Sequence, residues 1–148
     1  MIDWSNEYET GHVLIDAQHR MLIAYVNRLP GLLRSSDSSR AEFALVGRFM
    51  EFLEDYILAH FQEEETCMHR FRCPAHQDAK LGHREFLALL RRFQRRFTIE
   101  GLAAPLVEEL HAACVAWIKR HILRLELQLK YYQTEPLTEE EDYELDFG

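Results

Sequence analysis

Four histidines fall on the apolar faces of four separate helical segments, where their rings could bind a metal ion together. They are His19, His60, His83 and His121. A single buried histidine needs only one hydrogen-bond partner for each ring nitrogen, and it ordinarily finds them. Four histidines that converge on one core, with glutamates beside them, would leave polar groups without partners, and a bound cation removes that cost. The pattern therefore indicates a metal centre.

Two glutamates extend this set of donors. Glu64 lies four residues after His60, on the same helix face and about 6 Å along the axis, so both side chains reach one site. Glu126 lies five residues after His121, about 140° around an ideal helix, so it needs local underwinding or the long reach of a glutamate. Neutral imidazoles with carboxylates suit Fe, Mn or Zn, and two bridging carboxylates favour a dinuclear centre inside a helical bundle.

The elements that position these residues read as helices throughout. The chain has only 6 Gly and 4 Pro, its apolar residues recur with a period near 3.6, and no segment reads as a strand. The predicted helices run from about Ile15 to Leu29, from about Ser39 to Cys67, from Pro74 to Gly101 and from Pro105 to about Tyr132. This pattern predicts an all-α, antiparallel up-down-up-down four-helix bundle, with an ordered N-terminal arm over residues 1–14.

Composition limits the function classes. The 148 residues carry 17 Lys+Arg against 25 Asp+Glu, a net charge of −8, and 47% are apolar, as in one globular domain. The acidic balance disfavours nucleic acid, because phosphate binding depends on Lys and Arg. No apolar run approaches the roughly 20 residues of a membrane span. Three cysteines without an apolar N-terminal signal favour a cytoplasmic location. Residues 134–148 are acidic and aperiodic, and we interpret them as a tail or linker after a domain over residues 1–133.

Several motifs in this order resemble those of bacterial hemerythrins. They are Trp4 and Gly11 in the arm, Ile15-Asp16-x-Gln18-His19, His60-Phe61-x-x-Glu64-Glu65-x-x-Met68, His83-x-x-Phe86 and Trp117-x-x-x-His121-Ile122. The match runs from Trp4 to about Tyr132. The resemblance implies an antiparallel bundle that holds two non-haem Fe ions joined by a bridging oxo or hydroxo group, and that reacts with O2.

The resemblance also implies how the ligands divide between the two irons. His19 and His60 would bind one iron, His83 and His121 the other, and Glu64 and Glu126 would bridge them. The predicted metal ligands are therefore His19, His60, Glu64, His83, His121 and Glu126. None of these residues is expected to be catalytic.

This chain departs from the family pattern at two positions. The family's third helix carries HxxxH, and here the first of those histidines is Ala79; the family's fourth-helix carboxylate is Asp, and here it is Glu126. Each iron would keep two histidines, which leaves an extra open position for water, a small anion or substrate. His76 lies seven residues before His83, about 10 Å along the axis, so we expect it near the end of the bundle and not on iron.

The open position bears on function, because a saturated second iron favours reversible O2 storage and an open one favours faster oxidation. We expect a domain that senses O2 or redox state and regulates a fused or partner signalling output, such as a diguanylate cyclase. No enzyme motif occurs within these residues. The alternatives are an O2 carrier or storage protein, and a diiron enzyme that acts on peroxide or nitric oxide.

Two further features have open interpretations. Four residues lie close together where the second and third helices meet, and they suit either a zinc knuckle, a thiol redox pair or an ordinary loop; they are Cys67, His69, Cys73 and His76. Asp16, one turn before His19, either orients that imidazole or caps the first helix.

Overall fold

The computed structural model describes residues 2–32, 40–101 and 103–132, without the side chains of residues 40–43, 125–127 and 132. The described chain forms helices α1 (Val13–Asn27), α2 (Arg40–Arg70), α3 (His76–Glu100) and α4 (Ala104–Tyr132). Short 3-10 helices cover Asn6–Tyr8 and Leu29–Leu32. No strand occurs in the described ranges, so the predicted all-α class is confirmed. The predicted tail over residues 134–148 lies outside the described residues.

The helices pack in a ring. Each one contacts the next along the chain, and α4 returns to contact α1. The connections are short between α2 and α3 and between α3 and α4, and with the contacts of each helix to its neighbours they make this an antiparallel up-down-up-down bundle, as predicted. The core is apolar along most of its length and is built from one stripe of each helix, with Leu22, Leu53, Leu90 and Ile118 among its fully buried side chains. None of the described helices has the length and hydropathy to cross a membrane.

The junction between α2 and α3 differs from the predicted boundaries. α2 continues to Arg70 and α3 begins at His76. The Cys73 amide donates to the Met68 carbonyl at 2.8 Å and the Arg72 amide to the His69 carbonyl at 3.0 Å, while Arg72 has φ 55°. These two bonds form a Schellman motif that satisfies the last carbonyls of α2. Pro74 therefore follows the end of α2 and does not lie in the first turn of α3.

The N-terminal arm packs on the bundle, as predicted. Ile2 is 2% exposed, and its backbone amide and carbonyl both bond the Asn27 side chain, at 3.1 and 2.8 Å. The Trp4 ring lies edge-on to Tyr8 and beneath the Arg20 guanidinium, 4.7 Å from it. The arm is thus fixed to the C-terminal end of α1.

Asp16 joins the same arm to the start of α1. Its carboxylate accepts hydrogen bonds from the Thr10 amide and hydroxyl, both at 2.8 Å, and from the Gly11 amide at 3.1 Å. His12 caps the helix by accepting from the Ile15 amide at 3.5 Å. The hydrogen bonds described for Asp16 all run to the arm, so its role is to anchor that segment and not to orient His19.

Candidate metal centre

The Glu64 carboxylate lies at the centre of the bundle, fully buried, with an imidazole from every helix around it. Oε2 lies 2.8 Å from His19 Nε2 and 3.1 Å from His60 Nε2. Oε1 lies 2.7 Å from His83 Nε2 and 2.9 Å from His121 Nε2. Each carboxylate oxygen therefore faces one pair of imidazole nitrogens.

Five of the six predicted ligands thus meet at one place. The Glu64 oxygens group His19 with His60 and His83 with His121, and the division of these ligands between two metals stays a prediction. Donor atoms of His19, His60, Glu64 and His121 all lie within 4.8 Å of one another. The side chain of the sixth predicted ligand, Glu126, lies outside the described residues.

Two further side chains fix the orientation of two of the four imidazoles. His60 Nδ1 lies 2.8 Å from Gln18 Oε1, and His83 Nδ1 lies 2.8 Å from Glu65 Oε2. An amide oxygen and a carboxylate oxygen only accept hydrogen bonds, so Nδ1 carries the proton in both rings. In the neutral His60 ring, Nε2 then holds a lone pair that faces Glu64, which is how partners of metal-bound histidines set the tautomer.

Burial keeps two of the imidazoles neutral. It lowers the pKa of His60, against the raising effect of Glu64, and lowers the pKa of His121 to about 4. Burial alone would raise the pKa of Glu64, but interactions with His121 and His60 hold the pKa of this carboxyl well below its usual value. At neutral pH the site therefore combines the Glu64 carboxylate with neutral imidazoles of His60 and His121.

This donor set fits a metal. The Nε2 lone pair of His60 points at an oxygen lone pair of Glu64, an arrangement that is repulsive unless a cation lies between them. Among the described residues, Nε2 of His60 and of His121 is buried without a hydrogen-bond partner, although such groups nearly always have one. Imidazole nitrogen with carboxylate oxygen suits Fe, Mn or Zn.

Aromatic rings enclose the site and hold the histidines in place. Phe61 stacks on His83 with centroids 3.8 Å apart. Trp117 stacks on His121 at 4.3 Å, and its ring also packs on Phe86 at 4.3 Å. These contacts leave little room for ring rotation and shield the donor atoms from solvent.

Sequence reasoning assigned no role to Gln18 or Glu65 as hydrogen-bond partners. Each is adjacent in sequence to a predicted ligand, Gln18 to His19 and Glu65 to Glu64, yet each contacts a histidine of a different helix. Such contacts depend on the rotation of neighbouring helices, which spacing along a single helix does not reveal. The only signal in the sequence was that a polar residue lies next to His19 and another next to Glu64.

The cysteines and histidines between α2 and α3 do not form a second metal centre among the described residues. The rings of His69 and His76 lie 5.6 Å apart, while Cys67 and Cys73 are buried and free. Burial raises the pKa of the Cys67 thiol to about 12 and raises that of Cys73, so neither presents a thiolate at neutral pH. Neither the zinc knuckle nor the thiol redox pair is supported by these observations, and of the four residues only Cys73 lies in the connection between the helices.

All four helices direct donor atoms to one buried site. This arrangement is typical of helical cation-binding domains. Comparison with known proteins agrees with that class. Residues 10–131 match the family described as "Hemerythrin HHE cation binding domain", and the chain belongs to this family.

Its relatives include proteins named bacteriohemerythrin. The protein from Pseudomonas paraeruginosa (strain DSM 24068 / PA7) is 28% identical over 119 residues, which cover 80% of this chain and 72% of the relative. The protein from Clostridium acetobutylicum is 28% identical over 123 residues, 83% of this chain and 94% of the relative. The protein from Stenotrophomonas maltophilia (strain R551-3) is 26% identical over 122 residues, 82% and 74% respectively.

Proposed function

We propose that the protein holds two iron ions, one beside each oxygen of Glu64, and that the resulting centre senses O2 or redox state. The observation that carries this proposal is the arrangement around Glu64, where each oxygen faces its own pair of imidazole nitrogens. One carboxylate with two separated pairs of nitrogen donors suits a bridged pair of metals better than a single ion. When bound, an iron pair supplies the electrons for reaction with O2.

The residues around Glu64 would have three roles at this site: to bind the metals, to orient the histidines and to limit the access of water. His19 and His60 would hold one iron, and His83 and His121 the other, with Glu64 between them; Glu126 is the second bridging ligand that the family resemblance implies. Gln18 and Glu65 would keep the Nε2 lone pairs of their histidines directed inward. The aromatic rings that pack on His83 and His121 restrict the access of water and limit side reactions.

Ala79 favours a sensor over a carrier. It lies one turn before His83 on the same face of α3 and is buried, so the position that would bring a third histidine to this half of the centre brings only a methyl group. O2 or a small anion is the expected ligand at an open iron position. A reactive second metal favours a change of oxidation state over reversible storage.

We further propose that the domain regulates a signalling output, fused or separate, such as a diguanylate cyclase, and that it is not itself an enzyme. The support is the acidic segment 134–148, which suits a linker, and the absence of an enzyme motif in the sequence. The three free cysteines support a reducing, cytoplasmic location.

The test is the metal content of the purified protein, followed by its absorption spectrum under anaerobic conditions and after admission of air. We expect two irons per chain, oxo-bridged diferric bands that disappear on reduction, and rapid oxidation in air. A long-lived adduct with O2 would instead indicate a carrier, and sustained turnover of peroxide or nitric oxide would indicate an enzyme. Zinc alone, or no metal, would refute the proposal.

A further inference from the structure

A cleft of about 180 Å³ opens beside Ala79, between α3 and α4. Its lining includes Ala79, Gly82, Trp117 and His121. His121 is also one of the two histidines that meet Glu64 Oε1. The cleft therefore leads from the surface to the half of the centre that holds His83 and His121, and it lies where a histidine at position 79 would place its ring.

The size and wall of the cleft suit one small ring. A cavity of roughly 150 Å³ holds a benzene molecule, so 180 Å³ accommodates a five-membered ring. One wall is the edge of the Trp117 indole, whose faces stack on His121 and on Phe86. On the α3 side a Cβ at Gly82 would lie 3.9 Å from Trp117, so the missing side chain at this position adds to the free width beside the indole.

The charges around the cleft balance. Two acidic and two basic side chains line it, namely Asp78, Glu85, Arg120 and Arg124. Asp78 and Arg124 pair across its mouth at 2.9 Å, with both side chains more than half exposed. An exposed pair of this kind is weak and opens at little cost. Because the charges of the lining side chains cancel, the cleft does not attract an ion strongly, and it favours an uncharged ligand.

We propose that this cleft binds a small, flat, uncharged ligand with a nitrogen lone pair, of the imidazole class, which takes the coordination position that Ala79 leaves open. The inference rests on the proposed metal centre and specifies which half of it accepts an external ligand. The ligand would lie against the edge of Trp117 and donate its nitrogen lone pair beside His83 and His121. No covalent chemistry is required, because the ligand only replaces solvent.

The test uses imidazole itself as the probe on the iron-loaded protein, after its iron content has been measured. We expect imidazole to change the absorption spectrum saturably and to raise the melting temperature. The Ala79→His variant, which supplies a tethered imidazole, is expected to resemble the imidazole complex without any addition and to bind free imidazole at least tenfold more weakly. Ala88→His is the matched control, because Ala88 is exposed on α3 outside the cleft, and it should respond like the parent.

The outcomes separate the two proposals. Absence of iron would overturn the metal centre and this inference together. Two irons with no response to imidazole, an equal response in the parent and Ala79→His, or loss of iron during the titration would overturn the cleft alone. A response to azide but not to imidazole would refute the ligand class. Ala79→Leu fills the cleft without a donor and should abolish the response, which provides a second variant if Ala79→His does not fold.

Discussion

Replacement of Glu64 by glutamine tests whether one carboxylate serves two metals. Glutamine has nearly the shape of glutamate but presents one oxygen and one NH2 group. Whichever way the amide turns, its N–H hydrogens face one pair of imidazoles and occupy the place where a cation must lie. That pair is either His19 with His60 or His83 with His121. We therefore expect the metal content of Glu64→Gln to fall from two ions per chain to one at most.

The expected effect on thermal stability follows from the same geometry. A metal present at one hundred times its dissociation constant stabilises the native state by about 2.7 kcal/mol, so two sites give about 5 kcal/mol. For a chain of this size each kcal/mol shifts the melting temperature by about 2–4 °C. Metal should therefore raise the melting temperature of the parent by about 10–20 °C, and that of Glu64→Gln by half of this or less.

The assay is metal analysis after dialysis, with calorimetric melting of metal-loaded and metal-free samples. Glu63→Gln is the control, because it makes the same change of charge one residue away on an exposed side chain and should match the parent. If Glu64→Gln kept two metals and the full increase in melting temperature, Glu64 would not bridge the two sites and the reasoning from its two oxygens would be wrong.

Three other perturbations have defined outcomes. Glu65→Gln removes the charged acceptor 2.8 Å from His83 Nδ1 and should weaken metal binding by about tenfold or more; unchanged affinity in a competition titration would contradict this role. Asp16→Ala leaves three donors of the arm unbonded and should destabilise the fold by about 3 kcal/mol, seen in denaturant melts, whereas a loss below about 1 kcal/mol would show that the arm is held otherwise. Burial raises the pKa of Cys67 and Cys114 to about 12, so both native thiols should resist a thiol reagent at pH 8 and react after denaturation. Because these pKa values exceed the ordinary thiol value, the stability that these protonated thiols contribute is expected to be complete below pH 9 and to decline between pH 9 and 12. Rapid labelling of the native protein at pH 8 would refute the burial of the two thiols.

The sequence predicted the helices and the meeting of the four histidines because both depend on helical phase. His60 follows the apolar stripe that includes Leu53 and Ile57, and Leu53, Ile57 and His60 are all buried. Phase along a helix is local information, so it needs no knowledge of the partner helices. The positions of the histidines along the four helices then required only an antiparallel arrangement to bring them to one level.

The end of α2 could not be predicted in the same way. Arg72 has φ 55°, a conformation for which glycine is the usual residue, and no glycine marks the site. The contacts of Gln18 with His60 and of Glu65 with His83 depend on how adjacent helices rotate against each other. The cleft beside Ala79 depends on what the surrounding side chains leave unfilled, and a missing side chain has no sequence pattern of its own.

The two halves of the centre are not equivalent, and the difference bears on the loss of a histidine at Ala79. On one side His60 Nδ1 faces a neutral amide oxygen of Gln18. On the other side His83 Nδ1 faces the Glu65 carboxylate, which polarises the ring more strongly and makes Nε2 a better donor. The half that lacks the family's additional histidine thus has the more electron-rich imidazole and the open cleft. A metal held there would be stabilised in its higher charge state, while an open position remained for an external ligand. These two properties support the proposed centre that changes oxidation state over one that returns O2 unchanged.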